Sequence, residues 1–187
     1  MKVFLATISK SLMLLSLRNI QILGNLKMIL ITEQFLLISQ FTPYFVEGWA
    51  LYSESLGFDM QLFEDPLERY GHYSAEMFRA CRLVVDTGLH ALGWTKEKAL
   101  EYMLRYTANP KSKLENEIDR YITWPGQALS YKIGELKIRK LREEAEKKLG
   151  NKFNIKDFHE IILDSQGPME IMESQVQSWI ESQLHFV

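Results

Sequence analysis

An all-α fold is what this sequence predicts, on three observations. Helix start and stop residues recur along it. No stretch alternates apolar and polar residues with β-branched enrichment between turns, as a half-buried strand would. In the segment 66–91, polar and apolar side chains fall into separate stripes at three- and four-residue spacing. The chain has 187 residues, 47% hydrophobic and 12% aromatic, enough to bury a sizeable core as one domain or a large part of one.

The first forty residues stand apart. They are rich in Leu, Ile and Met, and Lys2, Lys10, Arg18, Lys27 and Glu33 break them up. No uncharged run approaches the roughly 20 residues that span a bilayer. Lys10 interrupts the first apolar run, and Arg18 follows SLMLLSL with no small-residue cleavage site, a poor match to a signal peptide. Residues 1–40 are therefore read as one or two apolar helices, separate from a helical domain over 41–187. The sequence does not fix the compartment: it favours the cytoplasm, with secretion or membrane association as the alternative if the apolar segment acts as a signal.

From residue 42 each element has its own boundary signal. Thr42-Pro43 and Asp65-Pro66 pair a capping side chain with proline at the first helical position, where its missing N–H goes unmissed. Thr95, Asn109-Pro110 and Asn154 predict three further starts. Trp124-Pro125-Gly126 introduces a long charged helix that Gly150 ends, and Gly167-Pro168 opens the last one. In that long helix, charges of both signs surround Leu136, Ile138, Leu141 and Leu149, the pattern of a solvated face.

Charge and cysteine usage exclude several function classes. With 22 Lys and Arg against 24 Asp and Glu, the net charge of -2 offers no footprint for nucleic acid. The single cysteine, Cys81, rules out an intrachain disulfide and a multi-cysteine zinc site, and a small core residue is its expected role.

Candidate functional residues lie on three helices. Glu47 and Glu54 are seven residues apart, on one helix face and about 10.5 Å apart along the axis. In 66–91, His72, Glu76, Arg79, Leu83, Asp86 and His90 form one stripe, and Tyr73, Met77, Cys81, Val84, Val85 and Gly88 form the expected apolar side. Arg79, Arg82 and Asp86 sit in the apolar run RACRLVVDTGLHALGW, where buried charges need partners. In WPGQALSYKIG, Gln127 and Tyr131 are one turn apart, and Gly134 leaves room for another helix to approach closely.

The runs FVEGWALYSESLG, RLVVDTGLHALGW and DRYITWPGQALSYKIGELKIRKLREEAEKKLG, with the FHEIIL tail, resemble the domain-of-unknown-function 885 family over about residues 41 to 180. Members of that family look like helical zinc peptidases of angiotensin-converting-enzyme-like and oligopeptidase-like architecture. The resemblance implies zinc as cofactor and a peptide as substrate in the complete protein, with Glu47 of the EGWA motif as the glutamate zinc ligand. It also implies that Glu54 orients a ligand and that His90 and Tyr131 polarise the substrate carbonyl. Arg79, Arg82, Asp86 and Gln127 would then hold the helices that present them.

At the ligand set the chain departs from that family. Its histidines are His72, His90, His159 and His185; none precedes Glu47, and His159-Glu160 continues as IILD without a second histidine one turn on. Catalytic zinc ordinarily takes three protein ligands, so this chain by itself is expected to bind none. The sequence thus reads as the C-terminal portion of a zinc-dependent peptidase, inactive in isolation. The alternative is a non-catalytic helical protein that binds a partner, or a membrane surface through residues 1–40.

Overall fold

The computed structural model describes residues 27–165 and 168–185, with side chains from residue 43 onward. The readings made on residues 1–26 lie outside the described residues. The chain divides into two units, Met1–Thr42 and Pro43–Val187, and the side-chain packing described below is that of the second.

Among the described residues there are helices and no strands: α1 (Lys27–Asp59), α2 (Pro66–Ala91), α3 (Lys96–Tyr106), α4 (Lys111–Thr123), α5 (Ser130–Leu149), α6 (Ile155–Asp164) and α7 (Met169–His185). Short 3-10 turns at Gln127–Leu129 and Gly150–Lys152 flank α5.

Most of the boundary signals act as their chemistry requires. Asp65 caps α2 by accepting from the Leu67 N–H at 2.7 Å, and Glu68 reaches back to complete a capping box. Thr95 accepts from the Lys98 N–H, Asn154 accepts from the Lys156 N–H, and Gly150 ends α5 at φ +52°. Two starts differ from expectation. Pro43 lies inside α1, which begins at Lys27. Proline has the same φ at a helix start and in its interior, so the Thr42-Pro43 pair could not reveal the helical residues before it. At α4 the capping position falls on Pro110, and Asn109 accepts from the Lys113 ammonium instead of from a backbone N–H.

The core has two regions. Val85 of α2 packs with Ala99 and Met103 of α3 and Leu114 and Ile118 of α4, all fully buried. Ile138, Leu141 and Ala145 of α5 are buried likewise, as are Phe158 and Ile162 of α6 and Val176 of α7. Each large apolar side chain buried in this way contributes about 1.5–3 kcal/mol.

Two helix faces are turned from the expected orientation. On α2, Cys81, Val85 and Gly88 are buried, but so are His72, Arg82 and Asp86, while Tyr73, Met77 and Val84 are exposed. Arg82 and Asp86 find partners across the helix interface, and pairing is what makes their burial tolerable. On α5, Ile138, Leu141 and Leu149 face inward, but Leu136 is 48% exposed and Glu135 only 1%.

Helices α1 and α5 meet at a pair of glycines. A Cβ on Gly48 would lie 2.5 Å from the Gly134 Cα, and one on Gly134 would run into the Tyr44 carbonyl oxygen. Neither helix has a flexible side chain here that could give way, since the obstructing atoms are backbone. Gly134→Ala should therefore force the helices apart and destabilise the protein by about 3 kcal/mol, at the upper end of overpacking effects; urea unfolding measures it. A loss below about 0.5 kcal/mol would show that the contact is not tight.

Candidate functional site

The glycine contact sets the level of two candidate residues. Glu47 immediately precedes Gly48 on α1, and Tyr131 lies one turn before Gly134 on α5. Both are half-buried. Neither the Glu47 carboxylate nor the Tyr131 hydroxyl bonds to another described residue. The Arg82 guanidinium carbon lies over the Tyr131 ring, 4.8 Å from its centroid, a cation–π contact. Glu54, further along the Glu47 face, is also half-buried and makes no bond to a described residue.

Arg82 joins α2 to α4. Its Nε donates to the Tyr121 hydroxyl at 2.9 Å and an Nη to Glu117 at 3.1 Å. Glu117 accepts two more bonds on the same oxygen, from Arg120 at 2.8 Å and from the Tyr121 hydroxyl at 3.0 Å. Arg120 extends the network to Gln127 at 2.9 Å. Burial raises the Tyr121 hydroxyl to about 12 despite the nearby Arg82 charge. Burial would also raise Glu117, but the bonds from Arg120 and Tyr121 and the charges of Arg120 and Arg82 outweigh it and hold its carboxyl below the usual glutamate range.

One turn along α2, both Asp86 oxygens accept from the Gly126 N–H at 3.2 Å. Gly126 has φ +80°, a left-handed conformation in which a side chain would be strained. Asp86 is 3% exposed, and desolvation raises its pKa, opposed by the Gly126 bond and the His90 charge. His90 itself places Nε2 3.0 Å from the Tyr121 carbonyl. That oxygen can only accept, so Nε2 carries the proton and Nδ1 is the remaining ring nitrogen. Asp86 and His90 thus fasten the end of α4 and the Trp124-Pro125-Gly126 turn to α2.

The structure accordingly brings Arg82, Asp86, His90 and Gln127 together around the end of α4, with Tyr131 against Arg82. Arg79 stays apart, donating to the Ala75 carbonyl of its own helix at 3.1 Å. Sequence reasoning missed Glu117, Arg120 and Tyr121, whose signal was available as an i, i+3, i+4 set on the helix just before the Trp124-Pro125-Gly126 turn.

A second polar cluster centres on His159. The Tyr52 hydroxyl lies 2.9 Å from His159 Nε2, and Arg142 approaches the same hydroxyl at 3.4 Å. Arg142 cannot accept, so Tyr52 donates to the imidazole. Arg142 also binds Asp59 at 2.9 Å and Glu146 at 2.8 Å, and the Trp49 ring meets His159 edge-on at 5.3 Å. Burial first, then the Arg142 charge, lowers the His159 pKa. A neutral imidazole that accepts from a tyrosine is a fastener between α1 and α6.

Among the described residues, no group of three or more His, Cys, Asp and Glu side chains is placed to hold a metal ion. Glu47 alone does not match the donor set of a catalytic zinc, which takes three protein ligands.

The sequence pattern of a family described as "Bacterial protein of unknown function (DUF885)" matches residues 29–176. A crystal structure described as that of "the putative lipoprotein from Colwellia psychrerythraea" superposes with a TM-score of 0.73 at 46% sequence identity, over 75% of this chain. The chain covers 24% of that protein's length. No curated protein matches.

Removing Arg82 leaves Glu117 and the Tyr121 hydroxyl without their cross-helix partner. Arg82→Met should cost about 3–5 kcal/mol, the usual effect of breaking a buried pair from one side, whereas Lys96→Ala, which deletes the exposed pair with Asp119, should cost at most about 1 kcal/mol. Glu117 is held below its ordinary value of 4.5, so its contribution is complete above that pH and is lost as pH falls through the folded-state value. Urea titrations between pH 6 and pH 3 should therefore show a shallower acid loss for Glu117→Gln than for the wild type; parallel curves would remove Glu117 from the acid response.

Proposed function

The chain belongs to the DUF885 family of bacterial proteins of unknown function, and on that premise we propose that it supplies the glutamate arm and the carbonyl-polarising side of a zinc-dependent peptidase centre. The observation that carries the reading is the Glu47 carboxylate. It is half-buried beside the close glycine contact of α1 with α5 and makes no bond to a described residue. A carboxylate that only stabilised the fold would gain from a partner there.

The other residues have complementary capacities. The Tyr131 hydroxyl is a donor without an acceptor among the described residues, and the Arg82 contact holds its ring. A fixed phenol is suited to donating to a carbonyl oxygen as negative charge develops on it. His90 has Nε2 committed to the Tyr121 carbonyl, so its part in polarising a substrate would fall to Nδ1. Arg82, Asp86 and Gln127 support this side by locking α2, α4 and the start of α5 together. The substrate class is a peptide. Since Glu47 alone does not fit zinc, the proposal assigns this chain no hydrolytic step of its own; the imidazole ligands belong to the complete protein.

The lipoprotein description of the Colwellia protein supports an exported, membrane-attached setting over the cytoplasmic one that the weak signal pattern favours. Among the described residues no helix is long and apolar enough to cross a membrane.

Elemental analysis of the purified 187-residue chain should find no stoichiometric zinc, and no chelator-sensitive peptide hydrolysis should accompany it. In a full-length family member, glutamine at the position matching Glu47 should lower zinc content, whereas phenylalanine at the position matching Tyr131 should leave zinc in place and reduce kcat by about 10²–10³, the effect of deleting one oxyanion donor. Unchanged zinc in the glutamine variant would take Glu47 out of the ligand set.

A further inference from the structure

A cleft of about 380 Å³ opens between the end of α1, the start of α2 and the first turns of α5. It contains neither Glu47 nor Tyr131, and its charged residues have no place in the reading above. From the molecule's interior it takes Glu135, 1% exposed, and Lys132, 9% exposed. Phe58, Tyr73 and Leu136 provide apolar wall. The volume lies in the range of small-molecule sites.

The bonding capacity left over in the cleft defines what would fit. Lys132 bridges the two acids, with Nζ 2.6 Å from Glu76 Oε1 and 2.8 Å from Glu135 Oε2. Glu135 Oε2 is fully buried against the Lys132 ammonium, out of reach of a ligand in the cleft. Glu76 Oε2 has only His72 Nε2, at 3.6 Å. Arg139 spends its Nε on Glu135 Oε1, and its two terminal amino groups make no bond among the described residues. The cleft thus offers a planar pair of guanidinium donors, one carboxylate oxygen short of a donor, Glu76 Oε2, and an aromatic and aliphatic wall. With two acids against Lys132 and Arg139, it has no excess charge to favour a simple anion or cation.

We infer that this cleft binds a small zwitterion of the apolar amino acid or dipeptide class. The ligand carboxylate lies on the Arg139 guanidinium, in the bidentate geometry that arginine favours. The ligand ammonium donates to Glu76 Oε2, supplying the donor it lacks. The apolar side chain packs against Phe58, Tyr73 and Leu136. No metal takes part, so this inference stands or falls separately from the peptidase reading.

Calorimetric titration of the metal-free chain with L-leucine, N-acetyl-L-leucine and L-leucinamide tests it. Leucine should bind, and each blocked analogue should bind roughly ten-fold more weakly or worse, the effect of losing a charged hydrogen bond. The Arg139 side chain is 40% exposed, so Arg139→Gln should retain the fold by circular dichroism while losing the preference for leucine over leucinamide. Tyr73→Ser, at an exposed position, should weaken leucine more than glycine. The inference is overturned if leucine fails to bind, if the three ligands bind alike, if N-acetyl-leucine matches leucine, or if Arg139→Gln keeps the wild-type preference.

Discussion

The backbone contact between Gly48 and Gly134 is the constraint on which the rest of the arrangement depends. Two helices without side chains at their crossing come closer than any other residue type allows, and each side chain nearby is placed relative to that point. On the N-terminal side, Glu47 lies one residue before Gly48 and Tyr131 three residues before Gly134. On the C-terminal side, the Tyr52, Arg142 and Asp59 bonds tie the same two helices, and His159 brings in α6. Close approach and polar fastening reinforce each other, because hydrogen bonds of fixed length need a fixed helix separation.

Buried charge is managed in one way throughout this fold. Arg82 with Glu117, Lys132 with Glu76 and Asp86 with the Gly126 N–H each join segments that hydrophobic packing alone would allow to slide. Ionic pairs add little net stability when compared with a well-packed apolar alternative, but losing one partner is costly. Such pairs therefore define one helix register more than they strengthen it. Glu47 and, at the cleft, Glu76 depart from this pattern, and both carry the functional readings for that reason: each leaves a carboxylate oxygen at a partly buried position with bonding capacity unspent.

Much of the fold was legible because helix boundaries are local chemistry. Asp65, Thr95, Asn154 and Gly150 act on backbone groups within a few residues, so neighbouring letters suffice to read them. Pro43 shows where locality ends. Its own geometry is identical at a helix start and within a helix, and only the conformation of preceding residues distinguishes the two. The candidate site was legible in part for the same reason: charges embedded in an apolar run, Arg82 and Asp86, announced that partners must exist, while the identity of those partners lay 35 and 40 residues away.

The sequence by itself determined an all-α chain, its family, most of its helix ends and the positions of its unusual charges. Only the tertiary structure decided which way α2 and α5 face. Periodicity places Tyr73, Met77 and Val84 on one side and Arg82 and Asp86 on another, but it assigns the apolar side to the interior by default. The folded chain buries Arg82, Asp86 and Glu135 and exposes Val84 and Leu136. A charge is costly to bury only when unpaired, and whether a partner stands opposite is a property of the packed helices, written in no single segment.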